Sequence, residues 1–128
     1  MPFSTRRVIS PETERAVTRI LEGVVTDGTG GKAAISGFRV AGKTGTAQKI
    51  DPRTGTYSDS KFVSSFVGYV PAENPRLAMI VVIDEPQGEA WGGAVAAPVF
   101  NRVGEQVLSY LGVSSSEPVK LAMAGGRS

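Results

Sequence analysis

The sequence contains no cysteine and no histidine. That excludes disulfides, Cys/His metal sites, a cysteine nucleophile and a serine–histidine–aspartate triad. Any proton transfer falls to Lys, Asp, Glu, Tyr or water. Long apolar runs are missing too: none approaches the ~20 residues a membrane-spanning helix needs. The opening "MPFSTRR" lacks the apolar centre of a signal peptide, so the chain as it stands is expected to be soluble. Nor is charge of one sign in excess. Across 128 residues, 14 Lys plus Arg face 12 Asp plus Glu, and Arg6-Arg7 is the only adjacent basic pair. A nucleic-acid surface would gather basic side chains on one face, so no nucleic-acid partner is expected. The length suits a single domain.

What is present reads as an α+β pattern. Ser10-Pro11-Glu12 is a helix start: a capping hydroxyl, a proline suited to the first helical position, and acids at the positive end of the helix dipole. Val17, Ile20, Leu21 and Val24 then follow at helical spacing, with Ala16 and Val25 beside them, and predict the buried face. The glycines of Asp27-Gly28-Thr29-Gly30-Gly31 end the helix, and this run is read as a stop signal. Residues 38–49 read as a strand broken by Asp51-Pro52 and Gly55, with a polar loop running on to about Ser60. Residues 62–70 are a second strand, rich in aromatic and β-branched side chains. Residues 77–83 are a third, apolar on both faces and therefore expected to be central and covered. A last helix begins near Pro98, with Val99, Val103, Val107 and Leu111 as its recurring apolar positions, flanked by Phe100 and Leu108, and Gly112 at its C-cap. The strand connections are short and carry no helix signal, which favours antiparallel hairpins over parallel crossovers. The expectation is a three-stranded antiparallel sheet with an N-terminal and a C-terminal helix. Residues 1–9 are expected to be a disordered start, 10–112 the folded part, and 113–128 a flexible tail or linker.

The stretch Gly37-Phe38-Arg39-Val40-Ala41-Gly42-Lys43-Thr44 fits the phosphate-loop pattern G-x-x-x-x-G-K-[ST] at every specified position. That chemistry needs a buried strand before the loop and a helix beginning at the lysine, whose N-terminus and N–H groups cradle phosphates. Neither is present: glycine-rich sequence precedes Gly37, and a Pro-Gly loop follows within ten residues. Nucleotide binding stays the alternative that the letters allow and the context opposes. On an edge strand the same region has another use. Lys43 supplies a positive charge, Thr44 and Thr46 supply hydroxyls, Gly45 lets a ligand approach the backbone, and the Thr46 N–H can donate to an oxyanion. An extended peptide can add along such an edge.

Lys43-Thr44-Gly45-Thr46 resembles the third signature of the penicillin-binding transpeptidases and serine β-lactamases, whose set is S-x-x-K, S-x-N or S-D-N, and K-T-G. The likeness is wider than the triad. "RVISPET", "VAGKTGTAQK", "FVSSFVGYVPAENPRLAMIVVIDEP" and "GGAVAAPVFNRV" resemble, in order, the closing third of class B penicillin-binding proteins of the cell-division and elongation type. The resemblance covers about residues 7 to 112. It implies the penicillin-binding/serine β-lactamase-like fold, with these three strands the last of a five-stranded antiparallel sheet. It implies that Lys43, Thr44, Gly45 and Thr46 bind the carboxylate of a D-alanyl-D-alanine stem peptide or a β-lactam. It implies also that the Thr46 backbone N–H is half of an oxyanion hole, and that no cofactor and no metal take part. The parent would be extracytoplasmic and held to the membrane by a segment absent here.

The resemblance also exposes a gap. No S-x-x-K precedes Lys43, and S-x-N occurs nowhere. The one S-x-x-K, Ser58-Asp59-Ser60-Lys61, falls in the polar loop before the second strand and reads as plain loop rather than as a nucleophile with a desolvated lysine base. The chain is therefore expected to be catalytically incomplete, to rely on the missing N-terminal part of the domain, and to self-associate through the bared strand 77–83. A non-catalytic interaction domain of the same fold is the other reading. Asp84-Glu85 is expected to be a solvated strand end, Trp91 to anchor its own loop or cover a groove, and Tyr57 and Tyr69 to pack.

Overall fold

The computed structural model describes residues 3–118. Helix α1 spans Pro11–Thr26 and starts as its sequence dictates, with the Ser10 hydroxyl oxygen accepting from the Thr13 N–H at 3.1 Å. A 3-10 turn, Gly31–Ala33, leads into strand β1, Ala41–Ile50. Strand β2 is Tyr57–Val70 and strand β3 is Leu77–Asp84. A single helical turn α2, Gly92–Val95, precedes helix α3, Ala97–Tyr110. The three strands form one antiparallel sheet in the order β1-β2-β3. The fold is the expected α+β arrangement, with β2 reaching back to Tyr57 instead of starting at residue 62.

Register fixes the two faces of the sheet. Gly42, Thr44 and Thr46 of β1 pair with Gly68, Phe66 and Ser64, which pair in turn with Met79, Val81 and Ile83 of β3. This is the helix-covered face. Phe66 and Phe100 are fully buried here and meet edge-to-face, ring centroids 4.8 Å apart. Val25, Ile35, Val40, Val70, Ala97 and Leu108 complete the core around them. The opposite face carries Lys43, Gly45, Ser65, Val67, Ile80 and Val82. Ile80 is 63% exposed and Val82 55%, so the all-apolar β3 is covered on one side only and lies at the sheet margin. Apolar composition established what β3 can bury, and the topology decided that half of it is bare.

Both long helices are rotated from their expected faces. In α1 the buried residues are Thr18 and Val25, while Ile20 is 69% exposed and Val17 43%. Thr18 Oγ1 instead meets the Tyr69 hydroxyl at 2.6 Å on the far face of the sheet, and Val25 enters the core, so α1 straddles the β1 edge. In α3 the buried set is Ala97, Phe100, Gly104 and Leu108, one step from the expected Val99, Val103, Val107 and Leu111. The physical reason is area and fit. Phe100 and Leu108 bury more apolar surface than two valines do, and Gly104 leaves room for Ile35, whose Cδ1 lies 2.7 Å from where a Cβ would stand.

Helix α3 stops at Gly112, φ 67°, with the Val113 N–H returning to Leu108 O at 3.0 Å, the C-cap its sequence called for. The chain then turns back. Val113 packs against the core, the Ser116 and Glu117 N–H groups both donate to Gly37 O at 3.1 Å, and Ser116 Oγ donates to Glu73 Oε1 at 2.5 Å. Residues 113–118, which open the expected flexible tail, are folded back here as a hydrogen-bonded strap. The remainder of that tail, and Met1 and Pro2 of the expected disordered start, lie outside the described residues. Residues 3–9 are exposed and carry no regular element.

Candidate functional site

Strand β1 begins buried at Ala41 and Gly42 beside α1, then runs out along the free margin of the sheet. No helix starts at Lys43, so the phosphate-loop alternative loses the element it requires. The hydrogen-bond phase of the ladder decides where the backbone groups point. The Glu85 N–H donates to Phe62 O, which makes that pair hydrogen-bonded. Alternation from it sends odd-numbered β2 residues toward β1, and their β1 partners, Lys43 and Gly45 among them, back toward β2. The N–H and C=O groups of Thr44 and Thr46 therefore face the open edge.

Simple alternation would part the lysine from the two threonines, because Lys43 stands on the bare face and Thr44 and Thr46 on the helix side. The length of the lysine stem closes that gap. Its Nζ curls over the margin and donates to Thr44 O at 3.0 Å and to Thr44 Oγ1 at 3.3 Å. The Lys43 ammonium and the Thr44 hydroxyl thus meet at a rim that also carries two outward N–H groups, while the Thr46 hydroxyl stands on the helix side of the same strand. Donors in that density suit a carboxylate or an oxyanion.

Three contacts hold this rim from behind. Thr29 Oγ1 lies 2.8 Å from Thr44 Oγ1. The Gly92 N–H donates to Thr46 Oγ1 at 3.0 Å. Ser64 Oγ, fully buried, donates to Ala90 O and tethers the loop that carries Trp91. Trp91 is 69% exposed and does not anchor its loop; it borders a shallow cleft of about 310 Å³ with Thr29, Lys32, Thr44, Gly93 and Ala94. A larger recess, about 1190 Å³ between α1, residues 31–40 and residues 117–118, contains none of Lys43–Thr46.

The remaining candidates fall into place as structure. Asp84 and Glu85 are not a bare solvated end: Lys49 Nζ reaches Asp84 Oδ1 at 2.9 Å and Glu85 Oε1 at 2.8 Å. The hydrogen bonds that Lys49 donates to Glu85 and then to Asp84 raise its ammonium above its ordinary pKa. The Ser58 hydroxyl oxygen accepts from the Ser60 and Lys61 N–H groups, at 3.2 and 3.1 Å, and Lys61 is exposed. Residues 58–61 lie inside β2, in the bulge between the Gln48–Phe62 and Ile50–Tyr57 pairs, and not in a loop before it; a hydroxyl bonded to local backbone N–H groups is no activated nucleophile. Tyr69 packs and bonds to Thr18, whereas Tyr57 is 68% exposed. No group of His, Cys, Asp or Glu suited to a metal occurs among the described residues.

Two contributors carry no functional signal in the sequence: Thr29 lies in a helix stop, and Gly92 in a glycine pair after Trp91. The glycines flanking Thr29 signal a tight turn, but nothing local tells which strand that turn will touch.

Residues 2–105 match the family model described as penicillin binding protein transpeptidase domain. Stage V sporulation protein D of Bacillus subtilis is 42% identical over 113 residues, covering 88% of this chain and 17% of that protein. The peptidoglycan D,D-transpeptidase FtsI of Escherichia coli K12 is 43% identical over 114 residues, 88% of this chain and 19% of that one. Among solved structures, the transpeptidase domain of Burkholderia pseudomallei penicillin-binding protein 3 superposes with a TM-score of 0.80 at 42% identity, covering 92% of this chain and 36% of that one. Penicillin-binding protein 3 of Mycobacterium tuberculosis in complex with ampicillin gives a TM-score of 0.75 at 32% identity, 93% of this chain and 27% of that one. The chain thus spans about a fifth of these relatives' length and about a third of the solved domains.

Proposed function

The chain belongs to the penicillin-binding protein transpeptidase domain family, and from that premise we propose that it forms the acid-recognising wall of a peptidoglycan D,D-transpeptidase site. Lys43, Thr44 and Thr46 receive the terminal carboxylate of a D-alanyl-D-alanine stem peptide, or the carboxylate of a β-lactam. Gly45 lets the ligand lie close to the strand, and the Thr46 N–H donates to the carbonyl oxygen as it takes up charge. The observation that carries this reading is the placement of Lys43 to Thr46 on the open sheet margin, with the Thr44 and Thr46 backbone groups directed outward.

In the parent reaction a serine oxygen bonds to the penultimate D-Ala carbonyl carbon, and the C–N bond to the terminal D-Ala breaks. That residue leaves as its amine. An amine of a neighbouring stem then attacks the ester and releases the serine. The nucleophile lies in the N-terminal part of the domain, which this sequence does not contain. Alone, the chain is therefore inert toward penicillin. Residues 10–112 are the closing part of the transpeptidase domain. The parent works on the outer side of the cytoplasmic membrane, tethered by a segment elsewhere in it; no helix among the described residues is long and apolar enough to cross a bilayer.

The β3 margin bears on partners. Eight residues, Leu77–Asp84, present an edge that no strand covers among the described residues. In a two-fold antiparallel pairing centred on Ile80, Arg76 of one copy stands opposite Asp84 of the other. In the isolated chain a second copy takes this edge; in the parent the rest of the domain does.

Acylation by a fluorescent penicillin tests the central reading. A parent reconstructed with Lys43→Ala should label far more slowly than the unmodified one, and the 128-residue chain should not label at all. An unchanged rate in the variant removes Lys43 from the site and favours a non-catalytic interaction domain of the same fold.

A further inference from the structure

We propose that Thr29 is a positioning residue for Thr44, and that it makes the rim select a carboxylate over a carboxamide. The inference rests on the reading of Lys43 to Thr46 as an acid receptor and names a residue which that reading leaves out.

Thr29 is held by its backbone. Asp27 N donates to Gly23 O and Gly30 N to Val24 O, both at 2.9 Å, which closes the end of α1 around it. Gly30 is buried against Phe66, where a Cβ would come within 3.1 Å of the ring. Gly93 lies so close to Thr29 O that a Cβ there would collide with it. A residue fixed from three directions offers its hydroxyl to Thr44 Oγ1 at 2.8 Å.

A threonine hydroxyl has one proton to give and two lone pairs to fill. Lys43 Nζ already donates to Thr44 Oγ1. When a carboxylate binds, the Thr44 proton goes to it, and Thr44 keeps one acceptor position. The Thr29 O–H is placed to fill that position. Thr44 is then saturated as an acceptor and acts toward the ligand only as a donor. A carboxylate, which only accepts, meets no conflict. A carboxamide brings N–H donors, and to receive one Thr44 must give up the Thr29 proton. Without the Thr29 hydroxyl the position stands open and the amide is tolerated.

The test uses the ¹⁵N-labelled 128-residue chain, titrated with N-acetyl-D-alanyl-D-alanine and separately with its C-terminal carboxamide, read at the Thr44, Gly45 and Thr46 amides. The unmodified chain should prefer the acid on the order of tenfold, as a charged hydrogen bond allows. Thr29→Val should lose most of that preference, chiefly by tighter amide binding, and Thr29→Ser should keep it. If the valine variant loses the folded spectrum, Thr29→Ala gives the same reading. Undiminished preference in a folded hydroxyl-less variant, or a loss in Thr29→Ser equal to that in Thr29→Val, overturns the role of Thr29 alone. Acid that moves none of the three amides in the unmodified chain overturns the receptor reading itself, and this inference with it.

Discussion

The backbone N–H of Gly92 donates to the side-chain oxygen of Thr46, 46 residues earlier in the chain, at 3.0 Å. Gly92 comes so near that a Cβ would strike the carbonyl oxygens of Gly45 and Ser65. The turn α2 is thus a buttress laid flat on the back of the candidate binding strand. Because backbone atoms cannot swing aside as a side chain can, Gly92→Ala must push α2 off the sheet. A loss of about 1–3 kcal/mol is expected from such overpacking, measured by urea denaturation. The Thr46 amide resonance should move with it. Unchanged stability and an unmoved Thr46 signal would show the contact to be slack.

The core turns on one aromatic pair. Phe66 and Phe100 are both fully buried and join the central strand to α3. Phe100→Ala removes a ring that no neighbour can replace and should cost about 3–5 kcal/mol. For a chain of this size that is a large share of the total. Circular dichroism with urea titration should find the variant mostly unfolded at 25 °C.

Self-association should depend on β3. Ile80 is 63% exposed and stands at the centre of the free edge. Ile80→Lys places like charges beside one another at the middle of a two-fold strand pairing. Sedimentation velocity should show concentration-dependent assembly for the unmodified chain and a monomer for the variant. A monomer in both cases removes the edge from consideration.

The strap 113–118 should loosen in acid. Burial works to raise the Glu73 carboxyl, but the Ser116 hydroxyl, its own backbone N–H and Arg39 together outweigh it and hold the pKa below the ordinary value. A carboxyl depressed on folding adds stability above its unfolded pKa of about 4.3, and that contribution fades as pH falls through the folded value. Glu73→Gln should therefore lower Tm relative to the unmodified chain at pH 7, and the difference should shrink as pH falls below about 4.3. Amide exchange at Ser116 and Glu117 gives a second reading, since protection there should drop over the same range.

Much of this was legible in the sequence for local reasons. The cap at Ser10, the stop at Gly112 and the strand character of residues 62–70 and 77–83 follow from side-chain shape and backbone preference within a few residues. The faces of the two helices were not legible. Val17, Ile20 and Val24 form as good a stripe as periodicity can ask for, yet Thr18 and Val25 face inward, because α1 lies across an edge and not over the middle of a sheet. In α3 two adjacent stripes compete, and Phe100 with Leu108 wins on buried area.

The sequence by itself determined that Lys43, Thr44, Gly45 and Thr46 lie on an extended strand with no helix behind them, since glycine, threonine and a following Pro-Gly loop leave little else. Only the tertiary structure decided what surrounds them. It set the ladder phase that turns the Thr46 amide outward, folded the Lys43 stem over the margin to Thr44, and brought in Thr29 and Gly92 from 15 and 46 residues away. Contacts between segments far apart in the chain depend on how whole elements pack, and no short window of sequence carries that information.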